Sequence, residues 1–131
     1  MVSLVKIDGV SYDVLVTAIQ ETFNVIEGQN SGYALYRERE IRDITGVKIG
    51  HTITFDPDTD PDIFDALVTY LFGAVRPFVM LEVVHNQTTI KYEAAYSSAS
   101  RAVAYIDDRR NKVGWNELTV DFRPMECQVN P

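Results

Sequence analysis

The sequence predicts a mainly β fold, an antiparallel β-sandwich or open barrel with one flanking α-helix at about residues 60–72. Three observations predict it. Apolar and polar residues alternate in several runs, as in Leu118-Thr119-Val120-Asp121-Phe122-Arg123, which is the period of a half-buried strand. Turn-forming pairs such as Asp8-Gly9 separate such runs. One segment alone has helical spacing, with Ile63, Phe64, Leu67, Val68 and Leu71 in a single apolar stripe. With no second helix to receive that stripe, it is expected to pack on a sheet.

Along the chain, Val5-Lys6-Ile7 and Val10 to Val14 flank Asp8-Gly9, a hairpin whose two turn residues need positive φ. From Leu15 to Val25 the odd positions are apolar or β-branched, except Glu21. This predicts one long strand with a bulge or bend. Glu27 to Gly32 reads as a loop and Tyr33 to Tyr36 as a short strand. Arg37 to Asp43 alternates in charge sign, which fits an exposed helical turn or a charged edge strand. Lys48 to Phe55 reads as a strand after Gly46. The helix has Asp60 as N-cap, Pro61 at N1 and Asp62 near the positive end of the dipole. Gly73 is expected in the left-handed conformation that ends many helices. Phe78 to Val84 and Thr88 to Tyr96 predict a second hairpin around His85-Asn86-Gln87. Arg101 to Ile106 and Glu117 to Arg123 predict a third, with Asp107 to Lys112 at its tip and Pro124 at its end.

The length of 131 residues predicts a single domain, residues 1–131. Net charge is −7, from 12 Lys and Arg against 19 Asp and Glu. An acidic chain without a long basic run is poorly suited to gripping phosphates, so no sequence-specific nucleic-acid binding is expected. The single cysteine, Cys127, excludes an internal disulfide and has no CxxC partner. No apolar stretch approaches membrane-spanning length. Met1 to Lys6 lacks the apolar core of a signal peptide, and the expectation is a chain folded in a cytoplasm.

No constellation in the chain points to catalysis. Asp56, Asp58, Asp60 and Asp62 alternate before the helix. An EF-hand begun at Asp56 would place Pro61 at the required glycine and Leu67 at the bidentate glutamate, so an acidic, helix-capping loop is expected and no metal. His51 and His85 have no partner at metal-binding spacing and are assigned ordinary surface or packing roles. GxSxG, HExxH, P-loop and GxGxxG patterns do not occur. Neither catalytic residues nor cofactors are expected. Arg109-Arg110-Asn111-Lys112 is the densest basic cluster. It reads as a solvated hairpin tip or as a contact to an acidic neighbour. Trp115 reads as an interface anchor or as a cap on the core, and the clean alternation that follows it favours the core.

Four stretches carry a family resemblance. They are Ile7-Asp8-Gly9-Val10 with Tyr12-Asp13-Val14; Phe23-Asn24-Val25-Ile26 followed by Gly28, Asn30 and Gly32; Arg42-Asp43-Ile44-Thr45-Gly46 leading to Thr52-Ile53-Thr54-Phe55; and Gly114-Trp115-Asn116-Glu117-Leu118-Thr119-Val120 with Phe122 and Pro124-Met125-Glu126. In this order the chain resembles small structural tail proteins of long-tailed phages and prophages, of the tail-tube or distal-tail kind. The resemblance implies a virion component that forms homo-oligomeric rings beside other tail proteins, made in the bacterial cytoplasm and incorporated in the virion tail. It also implies that Val14 to Ile26 and the loop Glu27 to Arg39 are assembly surfaces. The candidate residues are Gly28, Asn30, Gly32, Tyr36, Arg37, Arg39, Arg42, Arg109 and Arg110. An acidic inner wall would repel DNA phosphate. The alternative is a tail-associated adaptor or carbohydrate-binding module using exposed Tyr33, Tyr36, Tyr96 or Tyr105. A hydrolase would instead need two buried, facing acids.

Overall fold

The computed structural model describes residues 4–27, 32–34, 39–41, 44–58 and 60–128. Among these the strands are β1 (Val5–Ile7), β2 (Val10–Ser11), β3 (Val16–Glu27), β4 (Gly32–Ala34), β5 (Arg39–Ile41), β6 (Ile44–Phe55), β7 (Val79–His85), β8 (Thr88–Tyr96), β9 (Val103–Asp107), β10 (Lys112–Trp115) and β11 (Leu118–Pro124). Among the described residues there is one α-helix, α1 (Pro61–Phe72), which joins β6 to β7. Seven strands form one antiparallel sheet in the order β2-β1-β7-β8-β11-β6-β3, while β4–β5 and β9–β10 are separate ribbons. The fold is therefore mainly β with one helix, as the sequence patterns predict.

The first hairpin turns where expected, with Asp8 at φ 50° and Gly9 at φ 85°. The Asp8 carboxylate also accepts from the Met80 N–H at 2.7 Å and from the Tyr70 hydroxyl, which ties the turn to β7 and α1. Its second strand is shorter than predicted. It stops at Ser11, and Asp13–Leu15 forms a 3-10 turn. The Asp13 carboxylate holds this turn in place by accepting from the Leu4 and Val5 N–H groups at 2.9 and 2.8 Å. The chain then enters β3, whose register shifts between Val16 and Ala18, the bulge anticipated for the long strand.

β3 and β6 pair along their whole length, from Val16 opposite Phe55 to Glu27 opposite Ile44. On its other side β6 pairs with β11 only from Phe55 back to His51. Residues 22–27 and 44–50 therefore run on as a two-stranded arm. Beside the arm Gln128 takes the place of the absent strand. Its N–H donates to the Val47 carbonyl at 3.1 Å, and its side-chain amide exchanges two hydrogen bonds with the Ile49 backbone at 2.9 and 2.8 Å.

Helix α1 begins at its predicted cap, where the Asp60 carboxylate accepts from the Ile63 N–H at 3.2 Å. It buries Phe64, Leu67 and Leu71 in one cluster with Ile53, Phe55 and Phe122 of the sheet. Its end differs from expectation. Gly73 is right-handed, at φ −82° and ψ −9°. The left-handed turn is unnecessary because side chains satisfy the last carbonyls. Arg76 Nε donates to the Tyr70 carbonyl at 2.8 Å, and the Tyr96 hydroxyl donates to that of Leu71.

The third hairpin also differs. β9 pairs with β10, not with residues 117–123. β11 instead enters the sheet between β8 and β6. Burial explains the choice, since Leu118, Val120 and Phe122 are all buried in β11 while Val103, Tyr105 and Ile106 of β9 are exposed. The alternation of β11 needs a covered face, which the middle of the sheet supplies and a free ribbon does not. Trp115 sits at the core margin as predicted, with the Arg101 guanidinium 3.9 Å above its ring.

Candidate functional site

Two features of the fold exceed what a stable β domain requires. The first is the outer edge of β3. No other described strand pairs with β3 on the side away from β6. Natural edge strands are usually short, or carry lysine, proline or an outward charge that prevents pairing with other chains. β3 is 12 residues long and contains no lysine, arginine or proline. Between Val16 and Ile26 its only charge is Glu21, which turns inward. Phe23 and Val25 lie on the same face as Ile19, but on the arm that face has run past the core. They are 60% and 43% exposed.

A second exposed apolar element is the β9–β10 ribbon. Val103 and Tyr105 lie on one face and Ile106 with its cross-strand partner Val113 on the other, and all four are exposed. The Tyr105 ring covers Gly114, where a β-carbon would fall 2.2 Å from the ring. Arg109 and Arg110 occupy the turn at the tip. Their N–H groups donate to the Asp107 carboxylate at 3.2 and 3.3 Å.

The second feature is a polar chain behind β3 that runs from partly exposed His85 and Glu21 to buried His51 and Tyr92. Glu21 is the register partner of His51 on β6. Its Oε2 accepts from His51 Nε2 at 2.9 Å and from His85 Nδ1, at the end of β7, at 2.8 Å. On the far side of the His51 ring, Nδ1 lies 2.7 Å from the Tyr92 hydroxyl of β8. His51 has no exposed surface. Since Nε2 must carry the proton that reaches the carboxylate, Nδ1 is the acceptor and Tyr92 the donor. Both ring nitrogens of His51 are thus paired with its imidazole neutral. Three strands separate β3 from β7 in the sheet order, so the Glu21–His85 contact reports a sheet curved into an open barrel.

Electrostatics follow from this placement. Burial holds His51 below the ordinary histidine range, and the hydrogen bond and charge of Glu21 do not overcome it. Burial alone would raise Glu21, but the hydrogen bonds that it accepts from His85 and His51 bring it below the usual carboxylate range. Burial, with the charges of Glu21 and Asp121, pushes the Tyr92 hydroxyl far above the ordinary tyrosine range. Tyr92 is therefore a hydrogen-bond donor and not a nucleophile near neutral pH.

Of the residues selected from sequence, Gly28, Asn30, Tyr36, Arg37 and Arg42 lie outside the described residues. Gly32 and Arg39 fall in β4 and β5, which pair with each other. Arg109 and Arg110 are on a different ribbon, at the tip of β9–β10. Among the tyrosines weighed for glycan binding, Tyr96 is committed to the helix end and packs on Phe122. Tyr105 is exposed, and the side chains of Tyr33 and Tyr36 lie outside those described. Among the described residues no acid is buried, no group of His, Cys, Asp or Glu is arranged to hold a metal ion, and no helix is long and apolar enough to cross a membrane.

The Glu21 cluster was missed by sequence reasoning because its members are 30 and 34 residues apart, yet a signal existed. Glu21 interrupts an apolar face, and His51 and His85 share the parities of Ile53 and Val83. Three polar residues on three inward faces require one another as partners. No protein-family model matches the chain, and no curated protein matches it.

Proposed function

We propose that this protein is a structural subunit that assembles with copies of itself through the outer edge of β3, and that the assembly is a ring component of a phage or prophage tail. Self-association rests on one observation, the long edge of β3 along residues 16–25 that no other described strand covers, with Phe23 and Val25 exposed beside it. A strand of this kind pairs readily with another chain, because the outward N–H and C=O groups along residues 16–25, which no other described strand engages, form a template. Ring closure removes such edges, as heterologous contacts do whenever the rotation closes. The placement in a phage tail rests on the sequence resemblance and on the mainly β, single-helix architecture that it implies.

Light scattering over a concentration series, with electron microscopy of the concentrated protein, tests the reading. The expected result is growth from monomer to closed oligomers or tubes. The double variant Phe23→Lys, Val25→Lys places charge at two already exposed positions, so its fold should be retained while assembly is lost. A wild-type protein that stays monomeric at every concentration, or a double variant that assembles equally well, overturns the proposal.

A further inference from the structure

We propose that Glu21, His51 and His85 form a proton-operated clasp that fastens edge strand β3 across the barrel to β7 and releases it on acidification. The geometry carries this. β3 and β7 share no backbone pairing among the described residues, and β8, β11 and β6 lie between them in the sheet. At this level the closure consists of one carboxylate oxygen receiving two imidazole donors, at 2.9 and 2.8 Å. Tyr92 fixes the tautomer of the buried ring from the other side, at 2.7 Å.

The hydrogen bonding of His51 is saturated with its ring neutral. A second proton on His51 would have to sit on Nδ1, facing the Tyr92 oxygen, and the Tyr92 hydroxyl would have to turn away. It would also place a cation on a ring with no exposed surface, beside a second imidazole that shares the same carboxylate. A buried charge without full compensation is strongly unfavourable. The groups facing His51 are Glu21 from β3, His85 from β7 and Tyr92 from β8, while β11 presents uncharged Phe122. Asp121 acts on Tyr92 from the outer face of β11. Only Glu21 opposes the penalty, and it is already shared.

The sign follows. A histidine held neutral in the closed form takes up its proton once the clasp opens, so the open form binds more protons. Closure is then complete above the ordinary histidine range and weakens as the pH falls below it. One extra proton in the open form weakens closure by about tenfold per pH unit over that interval. Any effect on assembly rests on the reading above, because β3 is also the proposed contact strand. The clasp itself does not depend on that reading.

Hydrogen exchange of the β3 amides between about pH 7.5 and about pH 5.5, corrected for intrinsic rate, tests the clasp. Protection in β3 should fall about tenfold while the β7–β8 hairpin holds. The nitrogen resonances of His51 should report a neutral Nε2–H ring at the upper pH. His51→Gln keeps a donor toward Glu21 and an acceptor toward Tyr92 without titrating, so its β3 protection should not respond to pH. Should that buried substitution unfold the protein, His85→Gln at the partly exposed end should blunt the response. Flat β3 protection in the wild-type protein, or an unchanged response in both variants, overturns the clasp. Self-association that survives such a result leaves the assembly reading standing. A working clasp in a protein that never associates removes the assembly reading alone.

Discussion

At Gly73 a β-carbon would lie 2.4 Å from the Thr69 carbonyl oxygen. At Gly9 nothing lies within 4 Å, and the requirement is the backbone angle, φ 85°. Both glycines end a local element, yet one is needed for space and the other for conformation. Gly73→Ala should therefore cost about 1–3 kcal/mol, in the range of overpacking, because the clash is with backbone and no side chain can swing clear. Urea denaturation measures the loss, and an unchanged midpoint would show that the helix end relaxes freely. The sequence correctly marks Gly73 as the helix terminus but assigns the wrong reason. The carbonyls that a left-handed glycine usually helps satisfy are met by Arg76 and Tyr96, which lie 6 and 25 residues from their acceptors. Local spacing does not encode such partners. The same limit hides the Glu21 cluster, where each polar residue looks like a lone exception on its own strand.

Among elements, those with a covered face were legible and the ribbon was not. α1 follows its apolar stripe and its Asp60 cap, and β7, β8 and β11 follow their alternation, because burial on one face writes a period into the chain. β9 and β10 have exposed apolar residues on both faces, so no period marks their pairing, and the alternation of residues 117–123 points residues 101–106 to the wrong partner. A two-stranded ribbon wet on both sides is marginal by itself. Its amides should exchange at the fast end of the protein's range, whereas those of β11, which pairs with β6 over 118–122 and with β8 over 122–124 and buries Leu118, Val120 and Phe122, should approach the global unfolding limit. Mass-spectrometric exchange of peptides covering 103–115 and 118–124 distinguishes the two. Equal protection would mean that the ribbon is covered in solution, a role that a neighbouring copy could fill.

For the molecule as a whole, net charge and the edge of β3 act in opposite directions. Each copy carries −7, so copies repel at long range. The proposed contact, by contrast, is nearly uncharged, since Glu21 alone is ionisable between Val16 and Ile26 and it is occupied by two histidines. Salt shortens the range of repulsion, from a Debye length of about 30 Å at 0.01 M to about 8 Å at physiological strength. It leaves backbone pairing and apolar burial largely intact. Self-association near pH 7.5 should therefore strengthen as sodium chloride is raised across that interval, measured by sedimentation velocity at fixed protein concentration. If copies are joined instead through Arg109 and Arg110 against acidic groups of a neighbour, screening removes the attraction and association weakens. The sign of the salt dependence thus separates an edge-paired assembly from an ion-paired one. The Phe23→Lys, Val25→Lys variant should lose association at every salt concentration in the first case and keep it in the second.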